Sequence, residues 1–268
     1  MNNKTEISIN ELTQHNTENG VNQNNISGVR KISAWMVHFF TATGAVFSLL
    51  ALYAIYWWNF KLAFWSMAAA IFIDSIDGFM ARKVRIKEAV PGIDGAMLDN
   101  IIDYVNYVIV PAFFFLIESD LLPFGLSIVS SGIIVISSSY QFSQIDAKTS
   151  DHFFKGFPSY WNIVAFYLFI WKQNPLFNFG IVILLGILVF VPIKYVYLSR
   201  PHYLIKNNLL KAMMLAFSIL WAFSAAMMLW LSPESNAFYE FILLIYIFVY
   251  FAISLYRTFI PLQLDDEH

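Results

Sequence analysis

Residues 62–81 read LAFWSMAAAIFIDSIDGFMA, and residues 96–118 read AMLDNIIDYVNYVIVPAFFFLIE. Each is long enough to cross a ~30 Å hydrocarbon core as a helix, which takes ~20 apolar residues. Yet each carries two aspartates, Asp74 and Asp77 in the first, Asp99 and Asp103 in the second. One Asp at the centre of such a helix costs about 2.5–3.5 kcal/mol on insertion scales. The spacings are i,i+3 and i,i+4, so each pair shares a helix face. A short connection makes the two helices antiparallel neighbours, and the four carboxylates can then converge in one pocket open at a single mouth. Converging carboxylates repel each other unless cations sit between them. An all-oxygen donor set, in a chain without cysteine, points to hard divalent ions, Mg²⁺ or Mn²⁺. Four carboxylates suit two bridged metal ions, which clamp both the attacking and the leaving oxygens of a phosphoryl group. The plainer alternatives are helix–helix glue, or a proton or cation path.

The rest of the chain agrees with a membrane setting. Of 268 residues, 59% are hydrophobic and 13% charged, against about 45–50% and 25% in soluble domains. A net charge of −2 offers no case for a nucleic-acid partner. Eight apolar stretches run at about 33–57, 62–81, 96–118, 121–142, 158–172, 175–198, 209–232 and 236–257. Continuous apolar runs disfavour a transmembrane barrel, and no internal repeat suggests an inverted-repeat transporter. The expected fold is an all-α polytopic membrane helix bundle of about eight transmembrane helices, with both termini cytoplasmic. That orientation puts 14 of the 16 Lys and Arg residues on the cytoplasmic side and only Lys61 and Lys172 on the other, as the positive-inside rule requires. Residues 1–29 are polar and lack a signal-peptide pattern, so they are expected to form a tail or interfacial segment. The expected divisions are a six-span catalytic bundle over 30–203, two further spans over 204–258, and a cytoplasmic tail over 259–268.

Small and basic residues surround the carboxylates. Gly78 follows Asp77, Ala81 lies one turn further, Arg82 comes next, and Gly95 precedes Asp99 by one turn. Together they spell Asp74-x2-Asp77-Gly78-x2-Ala81-Arg82, then Gly95-x3-Asp99-x3-Asp103. This resembles the signature of the CDP-alcohol phosphotransferase family of membrane enzymes. The 12 residues between Arg82 and Gly95 exceed the family's common spacing and resemble its choline-using branch. The stretches 37–45 (VHFFTATGA), 86–112 (IKEAVPGIDGAMLDNIIDYVNYVIVPA) and 160–168 (YWNIVAFYL) are similar to that branch as well. The resemblance implies an enzyme in which the hydroxyl of choline displaces CMP from CDP-diacylglycerol, giving phosphatidylcholine. It implies that Asp74, Asp77, Asp99 and Asp103 hold two divalent cations and that Asp103 also takes the choline proton. Asp74, Gly78, Ala81, Arg82 and Gly95 would then line the CDP site. A homodimer in a bacterial inner membrane, with its active site facing the cytoplasm, is implied too.

Choline adds a requirement of its own. A quaternary ammonium donates no hydrogen bond, so it must be recognised by aromatic faces and by carboxylates at a distance. Tyr104 and Tyr107 follow Asp103, and Tyr160, Trp161 and Asn162 open the fifth span; these five are the choline candidates. With aromatics at 18% of the chain, packing and interface anchoring compete for each ring. Sibling enzymes that use serine, glycerol phosphate or inositol phosphate remain alternatives, as does a cation-coupled transporter. Release of CMP separates enzyme from transporter.

Overall fold

A computed structural model describes residues 27–149, 153–196 and 208–260. Most of the N-terminal tail, Arg200, His202, Lys206 and the C-terminal tail beyond residue 260 lie outside the described residues.

The described residues form a bundle of helices with one short two-stranded ribbon. Helix α1 (Gly28–Tyr56) starts at Ser27, whose hydroxyl accepts from the Arg30 amide. A tight turn, with Trp58 in the left-handed region at φ 57, returns the chain into α2 (Phe60–Val84), capped by the Asn59 side chain. A single turn, α3 (Ile86–Ala89), leads to α4 (Gly95–Ile117). Asp94 caps α4 by accepting from Ala96 and Met97. Helices α5 (Ser127–Ser143), α6 (Trp161–Trp171) and α7 (Pro175–Leu188) follow. Between them, β1 (Phe153–Lys155) pairs antiparallel with β2 (Lys194–Val196), Phe154 opposite Tyr195. Helices α8 (Asn208–Leu231) and α9 (Ala237–Phe259) complete the bundle.

Among the described residues five helices, α1, α2, α4, α8 and α9, are long and apolar enough to cross a membrane. The chain is thus an all-α integral membrane protein. In place of the other three expected spans stand α5, α6 and α7, at 17, 11 and 14 residues. The expected sixth span, 175–198, ends early as a helix, at Leu188. Pro192 cannot continue the i→i−4 ladder, and the chain turns instead into β2, where Lys194–Val196 pair with β1.

Without a hydrophobic drive between helices, close approach and polar contacts hold membrane bundles together. Gly44 on α1 lets the Ile102 side chain of α4 come within 3.1 Å of where a Cβ would stand. On α5, the buried Ser131 hydroxyl donates to the Ala112 carbonyl of α4 at 2.8 Å. An aromatic cluster of Phe60, Phe64, Phe114 and Phe169, rings 5.1–6.0 Å apart, fills the space between α2, α4 and α6.

Helix α4 is not uniform. Residues Val105–Ile109 form a π-helical turn, closed by the Val110 amide on the Val105 carbonyl. Pro111 explains it: a proline has no N–H for the carbonyl four residues back and its ring crowds that carbonyl. The wider turn relieves both, and such turns collect at functional sites. This one carries Asn106 and Tyr107, both buried.

Candidate active site

Asp74 on α2 and Asp99 and Asp103 on α4 are drawn together, with one carboxylate oxygen of each within 4.8 Å of the others. The expected spacing argument holds for these three. Asp77 differs. It is buried on the same helix, but it is not among the three carboxylates that converge, and its side chain is turned toward Thr41 of α1. One turn further along α2, its side chain faces α1 and not the cluster. Three convergent carboxylates, with no His or Cys among them, are the hard-oxygen set that Mg²⁺ or Mn²⁺ takes. Asp74, Asp99 and Asp103 therefore fit one divalent cation as they stand.

The carboxylates have two sides. On the α1 side lie Asp77, Thr41 and the remaining motif residues. The Arg82 guanidinium sits over Gly78, with Nη1 3.4 Å from where a Cβ would be. Ala81 is half-buried on the same turn. At Gly95 a Cβ would stand 3.0 Å from the imidazole carbon Cε1 of His38, so glycine there admits the ring. His38 is buried, and its Nε2 has no partner among the described residues. The spacer of 12 residues is the α3 turn and its flanks. Its end is pinned to α1 by Arg30, which donates to the Val84 carbonyl at 3.0 Å and pairs with Glu88 at 2.6 Å.

On the other side the carboxylates open into a cavity of about 740 Å³. Asp74, Asp99 and Asp103 line it, and so do Tyr107, Tyr160 and Phe154. The Tyr107 hydroxyl donates to Asp74 Oδ2 at 3.0 Å. Its ring lies 5.7 Å from that of Tyr160, which in turn lies 6.1 Å from Phe154. The result is one aromatic wall built from α4, β1 and the start of α6.

Two of the five expected aromatic-site residues sit elsewhere. Tyr104 turns to α5, where its hydroxyl bonds Val135 O and Ser139 Oγ and its ring packs on Phe142. Trp161 is fully buried, its indole N–H donating to Ser138 Oγ at 2.8 Å. Neither lines the cavity. Asn162 does line it, at 3% exposure. Its Oδ1 accepts from the Ile163 amide, while its Nδ2 has no partner among the described residues.

Sequence reasoning missed Lys148 and Phe154. Lys148 lines the same cavity as Asp74, Asp99 and Asp103, its ammonium 5.9 Å from the Phe154 ring. Both residues reach the site through the 144–155 connection, which no helical spacing ties to the carboxylates. An exposed ion pair, Lys155 to Asp146 at 2.7 Å, braces that connection. The Lys155 ammonium holds the Asp146 carboxyl below the usual carboxylate range. The pair is therefore intact throughout the neutral range and opens only when acid protonates Asp146.

Fold and site together define an integral membrane protein with a hard-cation type of carboxylate cluster on two adjoining helices, and comparison with known proteins says of which kind. Residues 34–193 match the CDP-alcohol phosphatidyltransferase family, and the chain belongs to that family. A relative from Legionella pneumophila subsp. pneumophila, named phosphatidylcholine synthase, is 45% identical over 230 residues, 86% of this chain and 90% of its own. Relatives of the same name from Mesorhizobium japonicum and Borreliella burgdorferi are each 39% identical, covering 77% and 68% of this chain and 74% and 77% of theirs. The chain is an enzyme of phosphatidyl transfer.

Proposed function

We propose that the enzyme transfers the phosphatidyl group of CDP-diacylglycerol to choline, releasing CMP and forming phosphatidylcholine. The observation that carries this reading is the aromatic wall that lines the same cavity as the three carboxylates and touches them through the Tyr107 hydroxyl on Asp74. An ammonium without N–H groups is attracted to ring faces within about 6 Å, and Tyr107, Tyr160 and Phe154 offer three of them. The name shared by the relatives supports the same alcohol.

In the reaction, the choline oxygen attacks the phosphorus that bears diacylglycerol, and the bond from that phosphorus to the CMP oxygen breaks. Asp103 accepts the choline proton, a role worth 10²–10⁴-fold for a positioned base. Asp74, Asp99 and Asp103 would hold a divalent cation, and Asp77, turned from Thr41, would complete a second position. Such ions neutralise charge on the phosphoryl oxygens and on the leaving phosphate. Gly78, Ala81, Arg82 and Gly95 leave room and charge for the CDP moiety on the α1 side. Lys148 offers an ammonium to the phosphates from the cavity side. Tyr107 orients Asp74. The two further spans α8 and α9, a cytoplasm-facing mouth, a bacterial inner membrane and a homodimer belong to the same proposal.

The test is headgroup competition with purified protein in detergent. CDP-diacylglycerol and Mn²⁺ or Mg²⁺ are supplied with choline, serine, glycerol 3-phosphate or inositol phosphate, and CMP and the product lipid are followed. Choline-dependent CMP with phosphatidylcholine is expected. CMP released with another alcohol alone would discard choline and keep the phosphatidyl transfer. Light scattering of the same sample reads the dimer.

A further inference from the structure

The β1–β2 ribbon has two edges, and hydrogen bonds close both. On the β1 edge the Lys155 amide donates to the Ala147 carbonyl at 2.9 Å, and the Thr149 amide donates to the Phe153 carbonyl at 2.8 Å. The ribbon is thereby tied to the segment that carries Lys148. On the β2 edge the partner is not a strand but α9. The Lys194 amide donates to Thr258 Oγ1 at 2.8 Å and the Val196 amide to Ser254 Oγ at 3.3 Å. Each hydroxyl gives its own proton to α9, Thr258 to the Ser254 carbonyl at 2.9 Å and Ser254 to the Tyr250 carbonyl at 2.8 Å, which leaves its lone pairs for β2. The spacings match: residues two apart in a strand stand about 6.6–6.8 Å apart, and i,i+4 residues on a helix face stand about 6 Å apart along the axis. One turn of α9 thus takes the place of a third strand.

We propose that Ser254 and Thr258 are positioning residues for the alcohol substrate: by holding the edge of β2 they fix β1, and with it Phe154 and Lys148, against the cavity. The inference rests on the choline reading above and deepens it, since it names what holds the recognition wall in place.

Three features carry the argument. The path is continuous: α9 holds β2, Tyr195 of β2 stands opposite Phe154 of β1, and Phe154 bridges to Lys148. The path is also buried, with Ser254 at 0%, Tyr195 at 1% and Val196 at 2% exposure. An amide left bare on that edge has no water to turn to, so the ribbon must shift to satisfy it. Finally, the brace stands apart from the acidic cluster. The residues matched to the family, 34–193, hold Asp74, Asp99 and Asp103 and end one residue before β2, and neither Ser254 nor Thr258 lines the cavity. Loosening the brace therefore moves the wall and leaves the carboxylates where they are. Another flank of the cavity is open instead: Phe72 and Leu215 line it and are 65% and 54% exposed.

Two measurements on the full-length protein in detergent test this. In the first, Ser254→Ala and Thr258→Val remove the hydroxyls. Each should raise the KM for choline by about threefold or more, the scale of one weakened ring contact. The kcat, the KM for CDP-diacylglycerol and the Mn²⁺ requirement should be little changed. Thr258→Ser keeps the hydroxyl and should keep the parent KM. Ser224→Ala, whose buried hydroxyl donates to the Leu220 carbonyl of its own helix, should change none of these. Thr258 is half-buried and carries the test should Ser254→Ala fail to fold. An unaltered KM for choline in the folded variants, or an equal loss on every parameter, would overturn the proposal. The second measurement is hydrogen exchange by mass spectrometry without substrate. Loss of either hydroxyl should speed exchange in peptides covering Phe153–Phe157 and leave those covering Asp99 and Asp103 unchanged; unchanged exchange at Phe153–Phe157 would also overturn it. If the parent enzyme releases CMP only with another alcohol, the choline reading fails, while the exchange result and the KM for that alcohol still decide whether α9 holds the wall.

Discussion

Tyr107 and Asp74, 3.0 Å apart, join the aromatic wall to the acidic cluster, and their roles can be separated. Tyr107→Phe keeps the ring and removes the hydroxyl that fixes Asp74. Losing an outer partner of a metal-binding carboxylate typically costs 10–100-fold in affinity, so the Mn²⁺ concentration for half-maximal activity should rise by about that much, with the KM for choline little changed. Tyr160→Ala should do the reverse. A cation–π contact contributes roughly 0.5–2 kcal/mol, so the KM for choline should rise several-fold at an unchanged metal requirement. Asp103→Asn should lower kcat by at least 10²-fold; full activity would remove it as the base. The four aspartates were legible in the sequence because charge within apolar spans is conspicuous. The choice among aromatics was not. Tyr107 lies one turn from Asp103 on its face, whereas Tyr104 is rotated toward α5, and Trp161 spends its polar atom on Ser138. Rings so abundant can be sorted only by what they touch.

The elements show the same division. Five long apolar helices were apparent from hydrophobic runs alone. The π turn of α4 was not, because Pro111 disguises itself as one more apolar residue in a continuous span. Nor was the β1–β2 ribbon, whose strands are three residues each and depend on partners 41 positions apart (Phe154 with Tyr195). The ribbon matters because it leads into Tyr160. Gly156, just after β1, has φ 81, and a Cβ there would collide with the Val189 carbonyl. Gly156→Ala should therefore cost about 1–3 kcal/mol in backbone strain beyond the collision, lowering the melting temperature in detergent. At the start of α4, Gly95→Ala should be destabilising by about 1–3 kcal/mol, the usual range for overpacking. The His38→Ala background should relieve most of that loss, because the crowded atom is the imidazole Cε1.

Taken whole, the bundle is tied across its added helices by a short polar relay. The Trp221 indole N–H of α8 donates to the Tyr167 hydroxyl of α6 at 2.7 Å, which donates to the Leu243 carbonyl of α9 at 3.2 Å. Tyr167→Phe leaves the Trp221 indole N–H without its acceptor, a loss of about 1–3 kcal/mol for a buried donor, while the Leu243 carbonyl keeps its bond within α9. The expected result is a lower melting temperature with the metal requirement intact. The open flank at Phe72 and Leu215 has a consequence for supply. On the function proposed above, the lipid substrate would reach the carboxylates by sliding sideways within the film that surrounds the protein, without passing through water. Turnover should then follow the proportion of CDP-diacylglycerol in that film: diluting it with inert amphiphile at fixed total amount slows the enzyme, whereas adding more buffer does not.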